Sequence, residues 1–517
     1  MALFETDGQY PHPDHIERIA KYKRMEKIFD GKLYEVYERA TDLLKNTPHA
    51  EQLKNLYIAV NLADIIVTKP ADLIVGEVPQ FDTDEPDDSE VEKALNRIVE
   101  ENDLVKQIHE AVIGAGIRGD AWFKVRYGYD QDFASLEEIG LPVPDDAEMM
   151  PIIETVPAEY VFPELARGSN KKFSAINIAW VEWVKEGEKE VPYLNVERHL
   201  PGYIVYKRFR VYEAGVDTRF GVEIQLYRIG EEVPTGREED IEETGTTYFL
   251  VHHFPYKTKD SDWAGIGGLE KLESVLAAIN DRLVQIDYIL WKHSDPTAYG
   301  PSLDEEGNRS AASWGGRYIV VSKEDPTPGY MTWNAQLDGA FKELDYLLGI
   351  VYQLSETPQW LFGTTISQDK GGTGTSHTDS VAIKLRMMPI LSKVKRIRTH
   401  LDRAIRDAIY TAMQVENFAN EGVEGFEPYE PKYPTVKWKD GVPRDEKELA
   451  QIMQIRTGNK PTLDVHSAIK ILDEVDDARA SEIIRRIDED EQRTLGTVDP
   501  SIFNRDEEVS ANEGGGN

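Results

Sequence analysis

Cationic side chains crowd one stretch of this chain: Lys384, Arg386, Lys393, Lys395, Arg396, Arg398, Arg403 and Arg406, answered nearby by Asp402 and Asp407. Ahead of them runs a Gly/Thr/Ser-rich segment, residues 363–378, which holds Lys370, Gly371, Gly372 and Thr373. Lys and Arg neutralise phosphate, and glycine admits backbone conformations closed to other residues. The pattern therefore suits a mobile contact with a phosphate backbone, for which Lys370 or a few of the helix cations suffice. Most of the other cations are expected to solvate an outer helix face, with Ile383, Leu391, Val394, Ile397, Leu401, Ile405 and Ile409 turned inward.

Other candidate patterns fail on their chemistry. Gly371-Gly372-Thr373-Gly374-Thr375-Ser376 lacks the Lys that a phosphate-binding P-loop places before its Thr or Ser. Gly114-Ala115-Gly116-Ile117-Arg118-Gly119 matches G-x-G-x-x-G, but a dinucleotide site needs a strand before it and a helix after it, and here the order is reversed. His12, His15 and the pair His252-His253 have no companions at metal-ligand spacing. Around Asp82, Asp84, Asp87 and Asp88 the pair Glu85-Pro86 breaks the calcium-loop pattern. No Ser-His-Asp or HExxH signature is present. The sequence predicts no enzyme, no cofactor and no metal.

Composition narrows the choice further. The chain has 517 residues, 94 acidic against 59 basic, for a formal net charge of −35. Such a charge repels nucleic acid at long range, so DNA contact is confined to local basic features. There is no cysteine, which excludes disulfides and thiolate chemistry and fits a reducing cytoplasm. No signal peptide is expected at MALFETDGQYPHPDH. The apolar stretch Tyr57 to Val75 is interrupted by Asn61, Asp64, Lys69, Pro70 and Asp72, so no membrane span is expected.

These patterns need elements to hold them. Apolar spacing predicts helices at 14–47, 55–75, 90–102 and 104–114. After Gly119 the pattern turns aromatic and alternating, and residues 150–255 read as an antiparallel β-lobe with a hairpin at Pro201-Gly202. Gly265, Gly267 and Gly268 mark a boundary. Beyond it Leu269, Leu272, Leu276, Ile279, Leu283, Ile286 and Leu290 recur at helical spacing. That stripe suits either a buried core helix or a helix packed against copies of itself. A Gly/Pro-rich insertion follows, then a second stripe, Leu337, Phe341, Leu344, Leu348, Val351 and Leu354. Pro389 falls inside the basic helix and predicts a kink rather than an end, because the apolar spacing continues through it. Residues from about 444 to 493 read helical, and an acidic tail closes the chain. The fold class is α+β.

In this order the segments resemble the portal proteins of tailed double-stranded-DNA bacteriophages. The resemblance rests on NLADIIVTKPADLIVGEVPQF, AGIRGDAWFKV, ERHLPGYIVYKRFR, GIGGLEKLESVLAAINDRLVQIDYIL, TPQWLFGTTISQDKGGTGTSHTDSVAIKLRMMPILSKV and WKDGVPRDEKELAQIMQIRTG. It implies a ring-forming subunit, usually one of twelve: a wing (1–266), a first stem helix (267–295), a clip (296–335), a second stem helix (336–358) and a tunnel loop (359–379). A kinked helix (380–442), a crown (443–495) and a disordered tail (496–517) complete it. Implied channel contacts are Lys370, Gly371, Gly372, Thr373, Lys384 and Arg386, and the stripe from Leu269 to Leu290 is the implied seam between copies. Implied partners are double-stranded DNA, the terminase large subunit, the major capsid and scaffolding proteins and a head-completion adaptor, in a virion assembled in the host cytoplasm. A head-to-tail adaptor or scaffold that never touches DNA is the competing expectation.

Overall fold

A computed structural model describes residues 3–37, 60–133, 136, 140–144, 147–187, 189–293, 298–300, 318–320, 329–330, 337–362, 380–423, 425–439, 446–458, 461–473, 475 and 477–496. The chain divides into a large unit, Met1–His377 with Val381–Gly441, and a small one, Thr378–Ser380 with Val442–Asn517. Both helix and strand are abundant, as an α+β chain requires.

The large unit begins with strand β1 (Gln9–Tyr10) and helix α1 (Pro13–Phe29). Proline fits the first helical turn because its missing N–H has no partner there in any case. Asp30 and Gly31, the latter at φ +75°, end the helix. The expected single helix at 14–47 is therefore split, with α2 (Leu33–Val36) following the break. Helix α3 (Leu62–Val75) is capped by the Asn61 side chain and carries Pro70 in its interior. After β2 (Gln80–Asp82) come α4 (Glu90–Glu101), capped by Ser89, and α5 (Leu104–Arg118). Helix α5 runs past the expected end at Gly114, so Gly114 and Gly116 lie inside it. Its C-cap is Gly119 at φ +99°, a left-handed position that favours glycine.

Strand β3 (Asp120–Tyr129) starts at once, which gives the helix-then-strand order expected around the glycine motif. It pairs antiparallel with β4 (Met149–Val156) on one side and β11 (Val251–Pro255) on the other. A larger antiparallel sheet has the order β1-β9-β8-β7-β6-β5, with β10 (Ile241–Glu243) beside β8. Its strands are β5 (Val161–Leu165), β6 (Phe173–Glu186), β7 (Lys189–Leu200), β8 (Tyr203–Arg219) and β9 (Val222–Val233). Pro201-Gly202 does turn β7 into β8. Phe220 and Gly221, both at positive φ, form the two-residue turn between β8 and β9, a backbone twist that suits the strands it joins.

Helix α6 (Glu273–His293) leaves this body and α7 (Leu337–Ser355) returns, bridged by Arg282 and Glu343 at 2.6 Å. Between them the described residues include a small sheet, β13-β12-β14, of Tyr318–Val320, Ala298–Gly300 and Gly329–Tyr330. Helix α8 (Ser380–Ala419, 40 residues) then continues through Pro389, and β15 (Thr435–Lys437) closes against β2. In α8 Val394, Ile397, Leu401, Ile405 and Ile409 are buried, with Leu95, Ile98, Leu104 and Ile108 in the same core. The small unit consists of α9 (Glu446–Thr457), α10 (Val465–Asp473) and α11 (Asp477–Gly496).

Candidate functional site

The end of α5 and the glycine boundary before α6 meet backbone to backbone. A Cβ on Gly119 would lie 2.6 Å from the Gly265 carbonyl oxygen, and one on Gly265 would collide with the Gly119 carbonyl. Neither position admits a side chain. The contact is also hydrogen-bonded: the Gly268 N–H donates to the Gly116 carbonyl (2.7 Å) and the Tyr256 N–H to the Gly119 carbonyl (2.8 Å). Carbonyls at a helix end have no partner within the helix, and here the chain entering α6 supplies it.

Asp120, fully buried in the first position of β3, ties this joint together. Its carboxylate accepts from the Gly265 N–H (2.8 Å), from His253 Nε2 (2.6 Å) and from the Tyr22 hydroxyl of α1. Burial pushes its pKa up, but the hydrogen bond and charge of His253, with the donors Tyr22 and Gly265, outweigh that and hold it below the ordinary carboxylate value. The His253 ring is fixed by Trp122 and Trp263 at centroid distances of 4.4 and 5.5 Å. A further strut comes from Arg24 of α1, which donates to Glu273 in the first turn of α6 (2.6 Å) and to the Phe220 carbonyl of the β8–β9 turn. The arrangement fixes how a two-helix hairpin leaves a β-rich body.

Residues 11–153, which span α1 to β4 and include Gly119 and Asp120, match the family model "Phage portal protein, SPP1 Gp6-like". The match supports a phage portal protein. No curated protein matches the chain.

The basic residues of α8 take definite places in this fold. Lys393 and Arg398, expected on the solvated face, are instead buried. Pro70 has no N–H, so the carbonyl four residues earlier, Ile66, loses its helical partner. Lys393 Nζ donates to that carbonyl (3.3 Å) and to the Ser355 carbonyl at the end of α7 (3.1 Å). Arg398 donates to the Leu73 carbonyl in the last turn of α3 (3.1 Å) and to the Lys439 carbonyl. Arg396 forks onto Glu356 at 2.6 and 2.7 Å, while Arg406 reaches the Pro434 carbonyl (2.6 Å) and Asp402 (3.3 Å). Much of the cationic run therefore joins helices within the chain.

The stripe expected as a seam between copies lies largely inside the single chain. Leu269, Leu272, Leu276, Ile279 and Ile286 are buried within the single chain, and Leu283 packs against the same cluster. Their neighbours include Met25, Ile28, Leu33, Ile66, Val67 and Val351. Of the stripe, Leu290 alone is 50% exposed. It shares that state with Phe341 (49%) and Tyr346 (71%) of α7.

Of the expected channel contacts, Lys370, Gly371, Gly372 and Thr373 lie outside the described residues, with the whole of 363–379. Lys384 falls in the first turns of α8, its side chain outside the description, and Arg386 is half-buried just beyond it. Sequence reasoning missed Asp120, although a Gly-Asp pair directly between a helix and a strand was the available signal. It also missed Lys393 and Arg398, whose partners are set by a proline and a helix end far away in the chain.

The histidines behave as structural residues. His252 bonds Thr411 of α8 (2.9 Å), and burial lowers its pKa to about 3, so it stays neutral. Among the described residues no group of three or more His, Cys, Asp or Glu could hold a metal ion. No helix among them is long and apolar enough to cross a membrane.

Proposed function

We propose that this chain is the subunit of a phage portal: a closed ring, of twelve copies by the resemblance, at one capsid vertex. Double-stranded DNA is packaged, retained and ejected through it. The family match over residues 11–153 carries the reading. In it, 1–266 are the wing, α6 and α7 the stem and the small sheet between them part of the clip. Residues 359–379 are the tunnel loop and 443–495 the crown. The ring docks the terminase large subunit, meets the major capsid and scaffolding proteins, and later receives a head-completion protein. Its role is structural rather than catalytic, in a virion assembled in the host cytoplasm.

The burial of the stripe moves the proposed subunit contact to the exposed residues of the hairpin, Leu290, Phe341 and Tyr346. DNA contact is left to Lys370, Gly371, Gly372, Thr373, Lys384 and Arg386. A net charge of −35 suits a channel in which DNA slides without sticking. Negative-stain imaging and native mass spectrometry of the purified protein test the proposal. Closed rings of one size with a central hole are expected, and a chain that stays monomeric at capsid-assembly concentrations overturns it. Deleting 366–376 separates the portal from a mere adaptor. Intact rings that fail to package or retain DNA support the portal, and normal yields of filled heads refute the channel role.

A further inference from the structure

Beside the Gly119–Gly265 joint lies a cavity of about 330 Å3, walled by the glycine boundary, the end of α7 and the middle of α8. Its charged lining is Lys257, Lys271, Lys393, Arg396 and Glu356. Glu356 is already engaged by Arg396, so the remaining charge is positive, in a chain whose net charge is −35. Among the described residues Lys257 and Lys271 make no ion pair, and both are exposed at the rim.

Two buried donors belong to residues in the wall of that space. The Tyr256 side chain is 6% exposed, yet its hydroxyl has no hydrogen-bond partner among the described residues. Gly268, in the same wall, puts no side chain against that hydroxyl, where a Cβ would already be in contact at 3.4 Å. Lys393 Nζ gives two of its three protons to the Ile66 and Ser355 carbonyls and retains one. A buried hydroxyl without a partner costs free energy, and a ligand that accepts from it recovers that cost. The complement of two buried donors ringed by exposed cations is a compact anion with several acceptor oxygens.

We infer that this cavity binds a phosphate-class oxyanion, with Tyr256 and Lys393 as its buried donors and Lys257 and Lys271 closing over it. Such an anion could be a free phosphate or a phosphate of a nucleic-acid backbone. The inference does not depend on the portal reading, because its probe is inorganic phosphate and its readout is binding to the whole purified chain.

Calorimetric titration with inorganic phosphate, at ionic strength held constant with chloride, should show saturable binding of one anion per chain. Tyr256→Phe removes only the hydroxyl and should weaken binding about tenfold. Lys257→Gln and Lys271→Gln, at exposed positions that leave the fold intact, should each weaken it about threefold. A short DNA duplex that displaces the phosphate assigns the site to a backbone phosphate. A duplex that does not compete assigns it to a free anion. No saturable binding at millimolar phosphate overturns the inference, as does equal binding by the wild type and all three variants.

Discussion

The near and far ends of the α6–α7 hairpin are built from the same residue types and end in different surroundings. Near the body, Leu272, Leu276 and Ile279 are covered by α1, α2, α3 and the end of α7. Leu290 and Phe341, farther along, are 50% and 49% exposed, and Tyr346, on the open side of α7, is 71% exposed. Helical spacing identifies a face, but not whether the chain itself or another molecule will cover it. The near end is a folding surface. The far end is left uncovered by the described residues.

Four changes test that division, in order of expected effect on the chain's own stability. Leu276→Asp buries a charge with no partner and should cost more than about 4 kcal/mol, abolishing the fold rather than releasing intact monomers. Circular dichroism and denaturant titration check this, and folded, soluble Leu276→Asp monomers would return the stripe to the subunit interface. Asp120→Asn breaks the buried network at the joint and should cost about 3 kcal/mol. Its pH dependence has a definite sign. The unfolded chain protonates this carboxyl near 3.8 and the folded chain at lower pH, so its stabilisation is present above that value and lost as the pH falls below it. The Asn variant should lose that part of the acid slope in urea midpoints measured from pH 6 downward.

Lys393→Met leaves the Ile66 and Ser355 carbonyls without their donor and should cost about 1–2 kcal/mol at neutral pH. Burial lowers the Lys393 pKa to about 8 from 10.5, against the Glu356 carboxylate, which raises it, and with the Arg396 guanidinium, which lowers it. The folded chain gives up this proton before the unfolded one does. Stability from this residue therefore rises between pH 8 and 10.5, and the Met variant should lack the rise. Tyr346→Asp, at 71% exposure, should leave the chain's stability within about 0.5 kcal/mol. It should nevertheless reduce assembly in native mass spectrometry. Unchanged assembly in Tyr346→Asp would remove the exposed side of α7 from the proposed interface.

The same division explains what was legible in the sequence. The β-lobe, the hairpin at Pro201-Gly202, the glycine boundary and the two long helices all announce themselves through local signals, and the structure contains them. The break after Phe29 was missed because the apolar spacing runs on past Asp30 and Gly31, while the backbone at Gly31 does not. Helix α5 reads as ending at Gly114 because glycine signals an end, yet it runs on to Arg118. Gly116 stays inside because it packs on α3, where a Cβ would approach Val67 to 2.8 Å. Lys393 and Arg398 look like surface charges from spacing alone. What places them inside is a pair of unpaired carbonyl groups on α3, a need visible only once the helices are brought together. The loop chemistry at Lys370 to Thr373 lies outside the described residues and remains an expectation of the sequence.

At Gly119 and Gly265 two main chains touch with no side chain between them. Mutation usually adjusts a contact by exchanging one side chain for a slightly larger or smaller one. Here there is nothing to exchange. The sheet on one side and the helices on the other can drift in sequence, while the spacing at the joint is inherited as a fixed length. Any change in the angle at which the hairpin leaves must come from the neighbours that hold the joint, Asp120, His253 and Arg24, and not from the joint itself.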